Sequence, residues 1–182
     1  ANQAGNATYG AASQIEQTLV INPIPITVTA DANQNKIYGT TDPALAYSVS
    51  PTLVSGDSFT GALIRATAEN TGSYAISQGT LDAGTNYTIT FVPDNFAITA
   101  KSITVTANAS QNKIYGTSDP IFTYSVTPAL ETGDSFTGIL SRANGDNVGS
   151  YVITQGSLSA GTNYAIIFVT ENFAITAKSI NV

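Results

Sequence analysis

Apolar and polar residues alternate with a period of two along most of the chain. Ile26 and Val28 are separated by Thr27 and followed by Thr29, and the same alternation returns at 45–49, 59–65, 74–76, 87–91 and 96–98. A side-chain period of two is typical of β-strands that have one buried face. The pattern therefore predicts about six short strands between residues 26 and 98.

Residues that favour turns separate these segments. They form short clusters rich in glycine, proline, asparagine and aspartate, at 38–39, 42–43, 55–57, 70–72, 82–84 and 93–95. Gly39 predicts a turn that needs a positive φ, and Asp42 before Pro43 predicts a turn whose aspartate caps backbone amides. The predicted fold class is all-β, with small antiparallel sheets in a sandwich or β-grasp-like arrangement.

The chain contains this pattern twice. Residues 26–102 align with 103–179 at a constant offset of 77 positions, and 53 of the 77 aligned pairs are identical. Such repetition is typical of arrays in which one structural unit is stacked on the next. We expect two domains at 26–102 and 103–179, the end of a preceding β-domain with a linker at 1–25, and the start of a further repeat at 180–182.

The joints between these units are short and carry stiff residues. The segment 96–105 contains neither glycine nor proline, and Pro23 and Pro25 restrict φ upstream of the first unit. A flexible tether would instead be rich in glycine and serine. The sequence thus predicts an elongated array of stiffly joined units.

Composition argues against several classes of function. The 182 residues carry a net charge of −6, and the six basic residues are dispersed singly, which argues against binding to nucleic acid or to an anionic membrane surface. Cysteine and histidine are absent, so neither a Cys/His zinc site nor a Ser-His-Asp triad can form. No apolar run reaches the roughly 18–20 residues of a membrane helix. The protein is predicted not to be an enzyme and to need no cofactor.

Both copies resemble the MBG repeat of the YGX type. In the first copy the resemblance is carried by ITVTA at 26–30, NKIYGTTDP at 35–43, YSV at 47–49, GDSFTG at 56–61, GSYAI at 72–76, AGTNY at 83–87 and NFAIT at 95–99. Proteins with such repeats are large bacterial surface or secreted proteins, often adhesin-like, in which these modules lie among immunoglobulin-like domains. The resemblance implies an extracellular stalk or adhesive filament and brings no catalytic residues with it.

The first 25 residues resemble the C-terminal end of a bacterial immunoglobulin-like repeat, with 17–21 in the place that 95–99 occupies later. A strand without its own domain can pair with the open edge of another sheet. Thr18, Leu19, Val20 and Ile21 are therefore a candidate donor strand. Because methionine is absent, we also expect the sequence to be an internal piece of a longer protein.

Two kinds of residue are candidates for a binding site. Tyr38 and Tyr115 form a possible contact surface that stacks on a sugar, although aromatic residues of small β-domains more often belong to the core or cover its mouth. Asp57 and Asp134 are candidate calcium ligands. Calcium needs six to eight oxygens in one place, and no cluster of the Asp-x-Asp type occurs.

The lysines and arginines allow two further hypotheses. A Lys–Asn isopeptide crosslink could use Lys36 or Lys101, but both lie at predicted strand ends, where a lysine can stay solvated. Its partners would be Asn35, Asn86 or Asn95. Arg65 and Arg142 alternate in phase with inward residues and are predicted to pair with nearby acids, namely Asp57 and Asp134 or Glu69 and Asp146.

These observations predict the structural stalk or adhesive repeat region of an extracellular bacterial surface protein, which provides spacing and multiplies weak contacts. One alternative is a filament subunit that exchanges strands between chains, and another is a carbohydrate-binding module. The expected partners are other repeats of the same chain, identical chains in a filament, and a host or matrix glycan or protein.

Overall fold

The protein is described by a computed structural model over residues 4–11 and 13–181. Those residues contain fourteen β-strands and no helix, so the all-β class is confirmed. Within the same part of the chain there is no helix of the length and apolarity that crossing a membrane requires.

Each repeat contributes seven strands. The first repeat contains β1 (Ile24–Ala30), β2 (Asn35–Ile37), β3 (Tyr47–Ser50), β4 (Ile64–Arg65), β5 (Gly72–Ser77), β6 (Tyr87–Val92) and β7 (Asn95–Thr99). The second repeat contains β8 (Lys101–Ala107), β9 (Asn112–Ile114), β10 (Tyr124–Thr127), β11 (Ser141–Arg142), β12 (Gly149–Thr154), β13 (Tyr164–Val169) and β14 (Asn172–Thr176).

The strands of each repeat form two small sheets. In the first repeat their orders are β3-β1-β6 and β2-β7-β5-β4, and the second repeat has the same orders seven strands later. The sheets are mixed, because β1 is parallel to β6 and β2 is parallel to β7, while the other pairs are antiparallel as predicted. The parallel partners are far apart in the chain, because a tight turn cannot join two parallel neighbours, and β6 and β7, which a tight turn does join, lie in different sheets.

The two sheets of a repeat share one hydrophobic core. On β1 the inward residues Ile26, Val28 and Ala30 are buried, and they meet Ile76 of β5 and Phe96 of β7 from the other sheet. The alternation of the sequence therefore identified the buried face of β1. At about 25 cal/mol per Å² of buried apolar surface, such clusters are the main stabilising contribution in a small domain.

The alternating segment 59–65 forms less strand than predicted. Only Ile64–Arg65 belongs to a strand, and Thr60 makes an isolated bridge to Asp82. Gly61 has φ +71°, and a Cβ there would lie 2.0 Å from the carbonyl oxygen of Thr80. The segment therefore follows a glycine-dependent bend in place of a continuous strand.

The candidate donor strand, 18–21, belongs to no strand in the part of the chain that the structure describes. Leu19, Val20 and Ile21 expose 85%, 69% and 86% of their surface, respectively. Ile24 begins β1, and its N–H donates to the carbonyl of Asn86 at 2.8 Å. Regular structure thus begins between the two prolines that follow the candidate strand.

Candidate functional site

The two repeats are joined by a single residue. β7 ends at Thr99 and β8 begins at Lys101, so that only Ala100 lies between a strand of one repeat and a strand of the next. The N–H of Tyr38 donates to the carbonyl of Thr99 at 2.8 Å, which places the turn after β2 beside this connection. The Tyr38 turn of repeat 1 thereby reaches repeat 2.

Tyr38 is the central side chain of the joint. Its hydroxyl donates to Oδ2 of Asp134 at 2.8 Å, and the hydroxyl of Tyr164 donates to the same oxygen at 2.5 Å. The rings of Tyr38 and Tyr164 pack edge to face, with centroids 5.4 Å apart. Tyr38 is half-buried and packs against the cores of both repeats.

Asn163 forms a second set of bonds across the joint. Its Oδ1 accepts a hydrogen bond from the N–H of Thr71 at 2.9 Å, and its Nδ2 donates to Oδ1 of Asn70, also at 2.9 Å. The hydroxyl of Thr71 donates to the carbonyl of Thr162 at 3.3 Å. The loop before β5 is therefore fixed to the loop before β13.

An ion pair and a glycine complete the contact. Nζ of Lys101 donates to Oε1 of Glu131 at 2.5 Å. Gly39, with φ +82°, approaches Glu131 so closely that a Cβ would lie 2.5 Å from its Cδ. Gly39 is therefore needed for its backbone conformation, whereas the neighbouring atoms belong to the flexible end of the Glu131 side chain.

The shared carboxylate affects the titration of its partners. Hydrogen bonds from Tyr164 and Tyr38 lower the pKa of Asp134. Desolvation and the bond to Asp134 raise the pKa of Tyr164 to about 12, and the bond to Asp134 raises the pKa of Tyr38. Near neutral pH Asp134 is therefore ionised and the hydroxyls of Tyr38 and Tyr164 are neutral, which is the protonation state their bonds require.

A cluster of four charged side chains lies at the side of each repeat. In repeat 1, Nζ of Lys36 contacts Oδ1 of Asp42 at 2.6 Å and also Glu69. Arg65 donates to Oδ2 of Asp42 at 2.6 Å and to Glu69 at 2.7 Å. Its guanidinium lies over the ring of Phe96, 5.4 Å from the centroid, so the cluster borders the core.

Two expectations about these residues were wrong, and one was confirmed. Lys36 is not solvated, since only 4% of its side chain is exposed, and Asp42 binds Lys36 and Arg65 and does not cap a turn. Of the predicted acid partners, Arg65 pairs with Glu69 and Arg142 with Asp146. The physical reason is that β2 turns the lysine inward, where burying its charge requires an acid partner.

Each charged group of the cluster stabilises the ionised form of its oppositely charged neighbours. The guanidinium of Arg65, followed by the ammonium of Lys36, lowers the pKa of Asp42 to about 2 although burial opposes this. Burial alone would lower the pKa of Lys36, but its bonds to Asp42 and Glu69 outweigh that effect and raise it. A charged lysine beside ionised carboxylates is not a nucleophile, so this geometry does not favour a crosslink at Lys36.

A comparison with protein families assigns the repeated unit. The family model described as MBG domain (YGX type) matches the chain twice, at residues 26–97 and 103–174. The chain belongs to this MBG family. The MBG family is a structural repeat family that is typical of surface proteins. A comparison with curated proteins finds no match.

The predicted site residues of the first MBG repeat and their counterparts in the second are compared as follows: the tyrosines differ in their surroundings, and the aspartates share one contact. Tyr38 lies in the joint, whereas its counterpart Tyr115 is 48% exposed. Asp57 accepts a hydrogen bond from Tyr87, as Asp134 does from Tyr164. Within residues 4–11 and 13–181, no three side chains of the His, Cys, Asp and Glu types come together as metal ligands would. The calcium and sugar-contact hypotheses stay predictions.

MBG repeat 1 also carries a cleft of about 690 Å³ beside its charged cluster. Its apolar walls include Ala44, Leu45 and Ala62. The counterparts in repeat 2 are the larger Ile121, Phe122 and Ile139. Repeat 2 has clefts of about 490 and 460 Å³ beside its own charged cluster, so the small side chains of repeat 1 accompany a larger cleft there.

Sequence reasoning missed most of the joint between the MBG repeats. Asn163 and Thr71 carry no distinctive motif, and their contact spans 92 positions. One signal was present, because Glu131 is ionic where the first repeat has Val54. A charge that occurs in only one copy indicates a position with different neighbours in the two copies.

Proposed function

We propose that this chain is a stiff spacer segment in the stalk or adhesive repeat region of a large extracellular bacterial surface protein. Membership of the MBG family supports a repeat region of a surface-type protein. The joint supports the spacer function, because a one-residue connection is combined with side-chain bonds on two sides of it. A spacer that kept its units in fixed orientation would hold a distal domain at a defined distance.

The single observation that carries this proposal is the carboxylate of Asp134, which accepts hydrogen bonds from a tyrosine of each repeat. A connection of one residue limits translation of the repeats but still permits rotation about the backbone of Ala100. Bonds from Tyr38 and Thr71, at different points around that connection, oppose bending in more than one direction. The repeats would then move as one body.

The test is the relative tumbling of the two repeats in solution. Residual dipolar couplings and ¹⁵N relaxation should give one common alignment tensor and one correlation time for both repeats. Tyr38→Phe removes only the hydroxyl that reaches Asp134, and we expect it to separate the two tensors. Tyr115→Phe makes the same change where the hydroxyl lies outside the joint, and it should leave them equal. Independent tumbling of the repeats in the unmodified chain would refute the proposal.

A further inference from the structure

Strand β13 of repeat 2 has one side of its backbone unpaired. It lies at the edge of the sheet β10-β8-β13 and pairs only with β8. The N–H of Lys101 donates to the carbonyl of Asn163, and bonding residues alternate along a parallel ladder, so the odd-numbered residues of β13 face β8. Ile166 and Phe168 therefore direct their N–H and carbonyl groups away from the sheet. In the part of the chain that the structure describes, residues 165–169 make no backbone bond outside the β8 ladder.

The neighbouring repeats of the chain do not cover this edge. β13 belongs to a repeat that follows another repeat, and it is an edge strand there. Its counterpart β6 belongs to a repeat that precedes another repeat, and it is also the edge strand of its sheet. Thr90 and Ile167, at the middle of the two strands, are both exposed. End-to-end joining of repeats, on either side, thus leaves the edge open.

The outward side chains of β13 are apolar. They are Ala165, Ile167 and Val169, which are all exposed, Ile167 to 56% and Val169 to 41%. The six residues of β13 include neither a charged residue nor a proline. Natural edge strands commonly carry such residues because they prevent pairing with another chain. β13 lacks both kinds of protection.

The corresponding strand of repeat 1 is better protected against pairing. Its inward residues are identical to those of β13, so packing of the core does not account for the differences. Three positions differ in and just after the strand: Thr88, Thr90 and Pro93 of repeat 1 are Ala165, Ile167 and Thr170 in repeat 2. The first two changes replace outward polar groups by apolar ones. The third restores an N–H, which a proline cannot supply to a ladder.

We propose that β13 pairs with β13 of a second copy of this chain, antiparallel and about a twofold axis. A contact of this kind is isologous, because the same strand supplies both sides of it. Two three-stranded sheets thereby become one sheet of six strands, in the order β10-β8-β13-β13-β8-β10. The proposal goes beyond the spacer function, because it joins two chains side by side and does not involve the joint between repeats.

The free backbone groups are compatible with this pairing in one full-length register. Pairing 165–169 with itself places Ile166 opposite Phe168 of the second copy, and these two residues have the free N–H and carbonyl groups. They form hydrogen-bonded pairs, and Ile167 then lies directly opposite Ile167 of the second copy as a non-hydrogen-bonded pair, where side chains approach most closely. On the inner face, the half-buried side chains of Ile166 and Phe168 extend the core of repeat 2 towards its copy.

The chemistry of the strand favours a second copy over a charged partner. In the twofold pair, the row Ala165, Ile167 and Val169 meets the same row reversed, so apolar side chains lie opposite apolar side chains. Removing these groups from water stabilises the pair. A charged segment would lose hydration at the same edge without an opposite charge to meet.

Two opposite charges at one position test the twofold register by sedimentation. Ile167→Lys and Ile167→Glu each place like charges opposite one another, so each chain alone should remain monomeric. An equimolar mixture places lysine against glutamate and should form a heterodimer. We expect the unmodified chain to pass from monomer to dimer between about 10 μM and about 1 mM. Position 167 accepts a polar side chain, because its counterpart Thr90 is polar and exposed.

Matched variants separate β13 from β6. Thr90→Lys makes the equivalent change in repeat 1, and this chain should associate as the unmodified chain does. Thr170→Pro gives repeat 2 the proline of repeat 1 and removes the N–H that would donate to the carbonyl of Tyr164 in the second copy. It should weaken association about tenfold. Amide spectra establish that every variant is folded.

Hydrogen exchange tests whether the contact is made by the backbone. The amides of Ile166 and Phe168 should exchange more slowly as the concentration of the unmodified chain rises. Their counterparts in β6, Ile89 and Phe91, should exchange at a constant rate. Dimerisation without added protection at Ile166 and Phe168 would contradict strand pairing.

Other outcomes would also overturn the proposal. They are an unmodified chain that stays monomeric at 1 mM, an Ile167→Lys chain that associates unimpaired, or a mixture of the two charge variants that stays monomeric. Association that survives the charge variants but is lost with Leu19→Ser and Ile21→Ser would place the contact in segment 18–21 instead. A monomeric chain whose repeats share one alignment tensor would refute this proposal while leaving the spacer function intact.

Discussion

Repeat 1 and repeat 2 share a core and differ at its margin. All ten buried apolar positions of repeat 1 hold the same residue in repeat 2, and nine of them are buried there too. The clearest difference is Leu45, which is half-buried, against Phe122, which is 8% exposed and packs edge to face on Phe173. The comparison shows that the same two sheets form both when the edge of the core is covered by a partly exposed leucine and when it is covered by a buried phenylalanine.

The charged clusters differ only in their outer acid. Repeat 1 has Glu69, which contacts both Lys36 and Arg65, whereas repeat 2 has Asp146, which lies 3.7 Å from Lys113 and 3.1 Å from Arg142. The inner acid bonds its lysine and its arginine at 2.6 Å in both repeats. The inner acid is therefore the essential partner, and the outer acid adjusts the charge balance from the surface.

The largest difference between the repeats is expected when the inner acid is neutralised. Asp119→Asn should destabilise repeat 2 by about 2–4 kcal/mol, a value reduced for solvent screening because a third of the side chain is exposed. Asp42→Asn should cost less, since Glu69 remains close to both cations. Urea unfolding followed by amide signals from each repeat measures the two losses. Equal losses, or a greater loss in repeat 1, would contradict the role assigned to the outer acid.

Acidification should destabilise both clusters. The pKa of Asp42 is lowered to about 2 by Arg65 and Lys36, and that of Asp119 is lowered by Arg142 and Lys113. A carboxyl whose pKa is lower in the folded state stabilises fully above its unfolded value near 4, and this contribution is lost as the pH falls towards 2. Allowing for exposure, we expect about 1–2 kcal/mol per repeat.

Urea midpoints at pH 6 and pH 2.5 measure the loss. The control is the Asp42→Asn chain, in which repeat 1 should show less acid dependence than it does in the unmodified chain. An undiminished acid dependence would mean that other carboxyls account for it.

The smallest expected difference in stability between the repeats comes from the aromatic ring of Phe122, which lies at the edge of the core of repeat 2. Phe122→Leu gives repeat 2 the residue of repeat 1, and we expect a loss of about 1 kcal/mol from the missing aromatic contact with Phe173. Leu45→Phe, the reverse change, should narrow the cleft of repeat 1. Thermal unfolding and a crystal structure of the Leu45→Phe chain check both effects. A neutral Phe122→Leu substitution would show that the aromatic pair adds nothing to the core.

The sequence predicted the strands better than the sites. Alternation at 26–30 identified the inward face of β1 because apolar side chains there have no alternative to burial. Lys36 was expected to stay solvated at a strand end, but the lysine is buried, and its neighbour Ile37 is 50% exposed. Burying the lysine while exposing the isoleucine is favourable only because of where Asp42 and Arg65 lie in the folded structure. The joint was also missed, because hydrogen bonds between asparagine and threonine residues far apart in sequence leave no periodic signal.

The position of the terminal strands has a mechanical consequence. β1 lies between β3 and β6, and β7 lies between β2 and β5, so each is the inner strand of a different sheet. Tension along the array enters a repeat through one of these strands and leaves through the other. Neither can be peeled from an open edge one hydrogen bond at a time; each must slide past two neighbours, which loads both ladders in shear.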